Sequence, residues 1–195
     1  MSGKLIIIEG VDGTGKTTLI EGLKRTIWPD YIFNFKYPEE KTPEENMAFT
    51  KGEYLASVKI FKELLARDKV IICDRFHLGE YAYGPVKRGY SDDSSLVWLS
   101  DIEERIKEEL NLRNIRLIIL LVADPKNAYR RLKKQGEYLT STEEINLVNR
   151  RYQDALDRTY MPCRMIWTDL AFDNHPELLL DLAIEFIGGN DIQHL

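Results

Sequence analysis

A short, unbroken run of apolar and β-branched residues, followed by an amphipathic stretch, recurs along this chain. The runs are Leu5 to Ile8, Val70 to Cys73, Leu117 to Val122 and Met165 to Thr168, with a weaker one at Tyr31 to Phe35. A strand with one wet face alternates apolar and polar residues. Runs that are apolar at every position suit strands covered on both faces, as in a parallel sheet. The stretches between them read as helices over Lys16 to Thr26, Tyr54 to Arg67, Ser95 to Leu110, Pro125 to Lys134, Glu143 to Tyr160 and Pro176 to Ile187. Strands alternating with helices specify an α/β fold with right-handed crossovers: a three-layer sandwich, its five-stranded parallel sheet carrying helices on both faces.

At 195 residues the chain is near the usual size of one domain, and no linker divides it, so residues 1–195 are expected to form one unit. Turn chemistry marks the element ends at Trp28-Pro29-Asp30, Tyr37-Pro38, Gly84-Pro85, Asp124-Pro125 and Phe172 to Pro176. Two segments, Lys36 to Gly52 and Phe76 to Ser95, read as functional excursions, and the tail from Gly188 to Leu195 should fray. A short lid is expected at about 133–145.

The net charge of -5 and pI near 5.4 give no footprint for polynucleotide or an anionic membrane. Cys73 and Cys163 lack metal-ligand spacing and read as small apolar residues in a reducing compartment. No apolar stretch reaches the ~20 residues that span a bilayer. The apolar N-terminal run is too short for a signal segment, which points to the cytoplasm.

Between the first run and the first helix lies Gly10-Val11-Asp12-Gly13-Thr14-Gly15-Lys16-Thr17, a match to G-x-x-x-x-G-K-[ST] in the strand-to-helix setting that this motif requires. The glycines let the backbone wrap a phosphate with its N–H groups pointing inward, and the helix N-terminus adds positive dipole. Lys16 is expected to reach the β and γ phosphates of a nucleoside triphosphate, and the Thr17 hydroxyl to ligate Mg²⁺, with Thr18 beside it. The acid after the second long run is Asp74, able to hold Mg²⁺ or its water shell, and the adjacent Arg75 suits a second anion. No Asn/Thr-Lys-x-Asp base-reading sequence of a GTPase follows, and the domain is too small for the coupling modules of a motor.

These residues together resemble the thymidylate kinase family, within the P-loop nucleoside and nucleoside monophosphate kinases. The likeness is carried by Ile8-Glu9-Gly10-Val11-Asp12-Gly13-Thr14-Gly15-Lys16-Thr17-Thr18, and by Asp74-Arg75 with Ala82-Tyr83 following, which resembles D-R-x(6)-A-Y. The resemblance implies ATP and Mg²⁺, a small nucleotide acceptor and a homodimer. Arg75 would grip the acceptor phosphate, Asp12 would lie near the acceptor sugar and metal, Tyr83 would pack under a deoxyribose, and Tyr54 would stack on the base. Glu9, Lys36, Tyr37, Val58, Glu80 and Arg88 would complete the acceptor side. Val97-Trp98-Leu99 could serve a helical interface or core packing equally well.

Two departures from the family pattern stand out. Val58 occupies the position where the family commonly carries an Arg that reads thymine, and the lid reads Gln135-Gly136-Glu137-Tyr138-Leu139-Thr140. With no Arg in the phosphate loop, the cation facing the transferring phosphoryl must come from Arg130, Arg131, Lys134, Arg150 or Arg151, with Arg131 placed in the catalytic set. His77 reads as a hydrogen-bonded histidine rather than a base. The favoured activity is transfer from ATP to dTMP or another deoxynucleoside monophosphate. Two alternatives stay open: a deoxynucleoside kinase using Glu9, Glu39 or Glu40 as base toward a 5′-hydroxyl, and a P-loop module that binds nucleotide without catalysis.

Overall fold

The computed structural model describes residues 3–35, 42–133, 139, 141–168 and 175–188. Strands β1 (Lys4–Gly10), β2 (Tyr31–Asn34), β3 (Val70–Asp74), β4 (Ile115–Val122) and β5 (Cys163–Thr168) form one parallel sheet in the order β2-β3-β1-β4-β5. Each apolar run is thus a strand, and β1 is central. Ile8 lies opposite Asp74 of β3, and Gly10 opposite Leu120 of β4. The chain winds outward from β1 to one edge and then returns past it to the other, so the order reverses at the carboxyl end of β1. That reversal opens the crevice where α/β sheets bind ligands.

Side-chain alternation divides the sheet between two cores. Leu5, Ile7, Ile71, Cys73, Leu117, Ile119 and Leu121 pack with α2 (Pro43–Leu65), α3 (His77–Lys87), α4 (Asp92–Glu109) and α6 (Thr142–Leu156). Ile6, Ile8, Ile72, Ile118 and Leu120 pack with α1 (Lys16–Ile27) and α7 (Pro176–Gly188). The short α5 (Pro125–Lys133) reaches the first core through Ala128 and Leu132. Each fully buried Ile or Leu contributes about 1.5–3 kcal/mol, which explains why unbroken apolar runs mark strands covered on both sides.

In their described residues both expected excursions are largely helical. α2 begins at Pro43, because Thr42 and Glu45 form a reciprocal capping box: Thr42 Oγ1 accepts from the Glu45 N–H, and Glu45 Oε2 accepts from the Thr42 N–H at 3.0 Å. Between Phe76 and Ser95 lie all of α3 and the start of α4, the latter capped by Ser91. Gly79, Gly84 and Pro85 disguise α3 as a loop. Gly84 is there for space: a Cβ on it would stand 2.2 Å from Cδ2 of Tyr90.

Candidate active site

The loop at the end of β1 takes its shape from its glycines. Gly10 has φ 137°, and a Cβ there would stand 2.1 Å from the Leu120 carbonyl oxygen, so only glycine lets β1 approach β4 so closely. Gly15, at φ 90°, is the N-cap of α1 and offers no side chain to its first turn. The contrast with other helices is informative: α2, α4 and α6 are capped by Thr42, Ser91 and Ser141. Thr14 Oγ1 ties down the loop by donating to the Val11 carbonyl at 2.7 Å, while Thr17 and Thr18 are exposed in the first turn of α1.

Lys16 is buried and donates from Nζ to the carbonyls of Gly10 at 3.0 Å and Val11 at 2.7 Å, with Asp12 Oδ1 3.7 Å away. Burial, and then the positive charge of Arg75, bring its pKa down to about 8 despite Asp12, Asp74 and Glu9. Burial pushes the Asp12 carboxyl up, yet Lys16 and Arg75 outweigh it and hold the group below its usual range. A cradle of this kind concentrates positive charge around a carboxylate and inward-facing backbone.

Arg75 stands at the turn after β3 with φ 67°, a left-handed conformation that costs a non-glycine residue about 1–2 kcal/mol. Its own N–H donates to the Ile8 carbonyl at 2.9 Å. The guanidinium reaches across to the Gly10 carbonyl at 3.2 Å and to Asp12 Oδ1, and lies 5.1 Å from the ring centre of Tyr83. Tyr83 in turn accepts from the Asp12 N–H through its hydroxyl at 2.9 Å. The fold therefore brings Asp12, Lys16, Arg75 and Tyr83 together at the phosphate loop. Asp74, half-buried at the end of β3, is near enough to raise the Lys16 pKa by its charge.

Among the lid-side cations with described side chains, Arg131 contacts the loop: Nη1 donates to the Gly13 carbonyl at 2.6 Å. α5 lies against this same glycine, where a Cβ would stand 3.3 Å from Cδ2 of Leu132. Arg130 and Arg150 are exposed. Arg151 is turned inward instead, donating from Nε to the Tyr81 carbonyl at 3.0 Å and from Nη1 to Asp92 at 2.5 Å. Lys134 and, of the expected lid, residues 135–138 and 140 lie outside the described residues, as do Lys36, Tyr37, Glu39 and Glu40.

The remaining acceptor-side residues are built into the protein interior. Tyr54, expected under a base, is a buried core aromatic whose ring meets Phe76 and Trp98 edge-on at 4.9 and 5.7 Å between ring centres. Val58 is fully buried one turn further along α2. Glu80 is buried between Arg88 and Tyr90, each at 2.5 Å, and burial outweighs both in raising its carboxyl pKa. Lys87 pairs with Glu144 of α6 at 2.9 Å. His77 is fully buried and its Nε2 lies 2.7 Å from Glu103 Oε1, so it joins α3 to α4. Glu9 is also fully buried, with both oxygens engaged: Oε1 accepts from the N–H groups of Phe76 at 2.7 Å and Gly79 at 3.0 Å, and Oε2 from the Tyr152 hydroxyl at 3.0 Å. Tyr152 has no counterpart among the expected site residues. In sequence it is one more large residue on the buried face of α6, beside Ile145, Val148 and Ala155.

Among the described residues no group of three or more His, Cys, Asp or Glu could hold a metal ion by itself. The hard oxygens of Thr17 and Asp74 suit Mg²⁺, which is bound through few protein ligands and completes its shell with water and substrate phosphates.

A parallel sheet reversing at β1, with a glycine-wrapped phosphate loop in the crevice, defines the class: this is a P-loop nucleotide kinase, an ATP-dependent enzyme. The family model for thymidylate kinase matches residues 36–173, more than half of the sequence, and the chain belongs to that family. It is 25% identical to the thymidylate kinase of Mycoplasma genitalium over 80% of this chain and 83% of that one. It is 29% identical to a probable thymidylate kinase of Picrophilus torridus over 75% and 78% of the two chains. In fold it is similar to the deoxyadenosine kinase of M. mycoides solved with dCMP and dCDP, at TM-score 0.59 and 20% identity over 93% and 99% of the chains. It is also similar to the YorR protein of Bacillus subtilis in complex with phosphorylated GDP, at TM-score 0.56 and 20% identity over 92% and 98%.

Proposed function

We propose that this protein transfers the γ-phosphoryl group of ATP to a deoxynucleoside monophosphate, dTMP first among them, to give the diphosphate. The observation that carries this reading is the position of Arg75. A backbone-strained arginine is held over the phosphate loop, within reach of Gly10 and Asp12, so a second anion can be gripped beside the first. The choice of dTMP rests on the family, whose named relatives are thymidylate kinases.

In this reading Lys16 holds the β and γ phosphates, Arg75 the acceptor phosphate, and Arg131 faces the phosphoryl group in transit. An oxygen of the acceptor phosphate, already anionic at neutral pH, forms the new bond to the γ phosphorus as the bond to the β,γ-bridging oxygen breaks, and ADP leaves with that electron pair. No base is required, so positioning and charge neutralisation supply the catalysis. Thr17 and Asp74 would hold Mg²⁺, which would supply further positive charge at the phosphates. Tyr83, with its hydroxyl fixed by Asp12, is assigned to the acceptor sugar. A nucleoside acceptor would need a carboxylate base; of the three weighed, Glu39 and Glu40 lie outside the described residues, and Glu9 has both oxygens committed to other donors.

The same reading places the protein in the cytoplasm, supported by two cysteines kept as free thiols, one of them held in its neutral form by burial. It makes the protein a homodimer, supported by an exposed stripe of Phe49, Gly52, Ala56 and Ile60 along α2. Of Val97-Trp98-Leu99 only Val97 is on the surface; Trp98 and Leu99 are core. The test of the activity is ADP release from ATP and Mg²⁺ with each deoxynucleoside monophosphate in turn. Release fastest with dTMP is expected, and no stimulation by any of the four would overturn the reading.

A further inference from the structure

We infer that Glu9 is a positioning residue, which sets Arg75 at the phosphate loop by capping α3 from the neighbouring strand, and that the Tyr152 hydroxyl holds the Glu9 carboxylate in place for this. The inference rests on the proposed role of Arg75 at the acceptor phosphate.

Helix α3 begins two residues after Arg75, and its own N-cap residue is Phe76, whose side chain cannot accept a hydrogen bond. The first-turn N–H groups of a helix need an acceptor, and a buried helix start without one is costly. Glu9 provides it from β1. One oxygen takes the N–H groups of both Phe76 and Gly79. Side chains at Leu5, Ile7 and Glu9 point to the same sheet face, so the last residue before the phosphate loop is directed at the start of α3. Arg75 is thereby clamped on both sides. Its own N–H is fixed to the Ile8 carbonyl, and the following N–H is fixed to the Glu9 side chain. A left-handed arginine persists only where its surroundings overdetermine it, and these two bonds to consecutive residues of β1 do that.

The second oxygen accepts from Tyr152 of α6, which makes the carboxylate the meeting point of β1, α3 and α6. A carboxylate with no exposed surface must be satisfied by donors on all sides, and the bonds from Phe76, Gly79 and Tyr152 do so close to the charge of Arg75. Burial still raises the Glu9 pKa, against the opposing effects of Arg75, the Gly79 N–H, His77 and the Phe76 N–H. Glu9 therefore acts through Arg75 without touching the acceptor.

The test is a double-mutant cycle in the full-length protein, with dTMP as acceptor and ATP as donor. Glu9→Gln keeps the shape and an amide oxygen for the two N–H groups but removes the charge. It is expected to raise the KM for dTMP about tenfold, with the KM for ATP changed less than about twofold. In the Arg75→Ala background the same substitution should add almost nothing to the loss. Tyr152→Phe should give a smaller shift of the same kind, about threefold, and serves if Glu9→Gln does not fold. Additive effects of Glu9→Gln and Arg75→Ala, or a fall in thermal stability with unchanged KM for dTMP, would overturn the inference. So would a collapse of kcat with a displaced pH profile, since that would make Glu9 a base. If Arg75→Ala alone leaves the KM for dTMP unchanged, it is the proposed acceptor role of Arg75 that fails.

Discussion

Arg151 supplies the hydrogen bond that Pro85 denies to Tyr81. In an α-helix the carbonyl of residue 81 accepts from the N–H of residue 85, but proline has none, and the ring lies inside α3. Nε of Arg151 on α6 donates to that carbonyl at 3.0 Å, and its guanidinium lies 4.6 Å from the centre of the Tyr81 ring. This buried arginine, one of five cations that the sequence offers to the transferring phosphoryl, is occupied in joining α6 to α3 and α4. Arg151→Ala should lower the unfolding free energy by about 2–4 kcal/mol in urea titrations, through an unpaired buried carbonyl and lost packing. Pro85→Ala in that background should return about 1 kcal/mol by restoring an N–H to the Tyr81 carbonyl.

Arg131 is positioned differently, with its guanidinium on the Gly13 carbonyl. Arg131→Ala should lower kcat by about two to three orders of magnitude while the KM for ATP changes less than about tenfold, because the charge counts most when negative charge shifts in the transition state. Arg130→Ala and Arg150→Ala, both exposed, serve as controls and should stay within about twofold of the parent in steady-state kinetics.

The lowered pKa of Lys16 gives two pH signatures. The ammonium needed for phosphate loses its proton as pH rises through about 8, so kcat/KM for ATP should fall on that alkaline limb. Stability moves the opposite way. Between about 8 and 10.5 the unfolded chain keeps the Lys16 proton and the folded protein has released it, so raising the pH favours the fold. The full gain is on the order of 3 kcal/mol. Lys16→Met should abolish it, which denaturation of the two proteins at pH 7.5 and about 10.5 will reveal as a difference between their slopes.

Gly84→Ala tests the packing of α3. The added methyl would meet the Tyr90 ring at 2.2 Å, and Tyr90 cannot withdraw freely because its hydroxyl is bonded to buried Glu80. Overpacking of this kind costs about 1–3 kcal/mol, a fall in Tm of about 3–10 °C by thermal denaturation.

Much of this molecule could be inferred from residue order alone. The strands were visible because both faces of the sheet are covered, so no polar residue interrupts Leu5 to Ile8 or Leu117 to Val122. The phosphate loop was visible because close approach and left-handed backbone demand glycine at 10, 13 and 15. Helix α3 was hidden because its stabilising partners come from elsewhere: Glu9 caps it and Arg151 repairs it, while its own residues include Gly79, Gly84 and Pro85. The start of α2 was missed, the helix being expected only from Tyr54, although Thr42-Pro43-Glu44-Glu45 is a local capping device that outweighs the turn chemistry preceding it. Sequence spacing could not separate Arg131 from Arg151, since which face of a helix meets which neighbour is settled by tertiary packing. Nor could it tell Tyr54 in an aromatic core from Tyr54 under a base.

The most direct measurement follows the label from γ-³²P-ATP in a mixture containing equal amounts of thymidine and dTMP. Transfer to a phosphate acceptor predicts that the label accumulates first as the β phosphate of dTDP, and that Arg75→Ala suppresses this product. Label appearing first as the α phosphate of dTMP would show that a nucleoside hydroxyl is the acceptor and would contradict the proposed function.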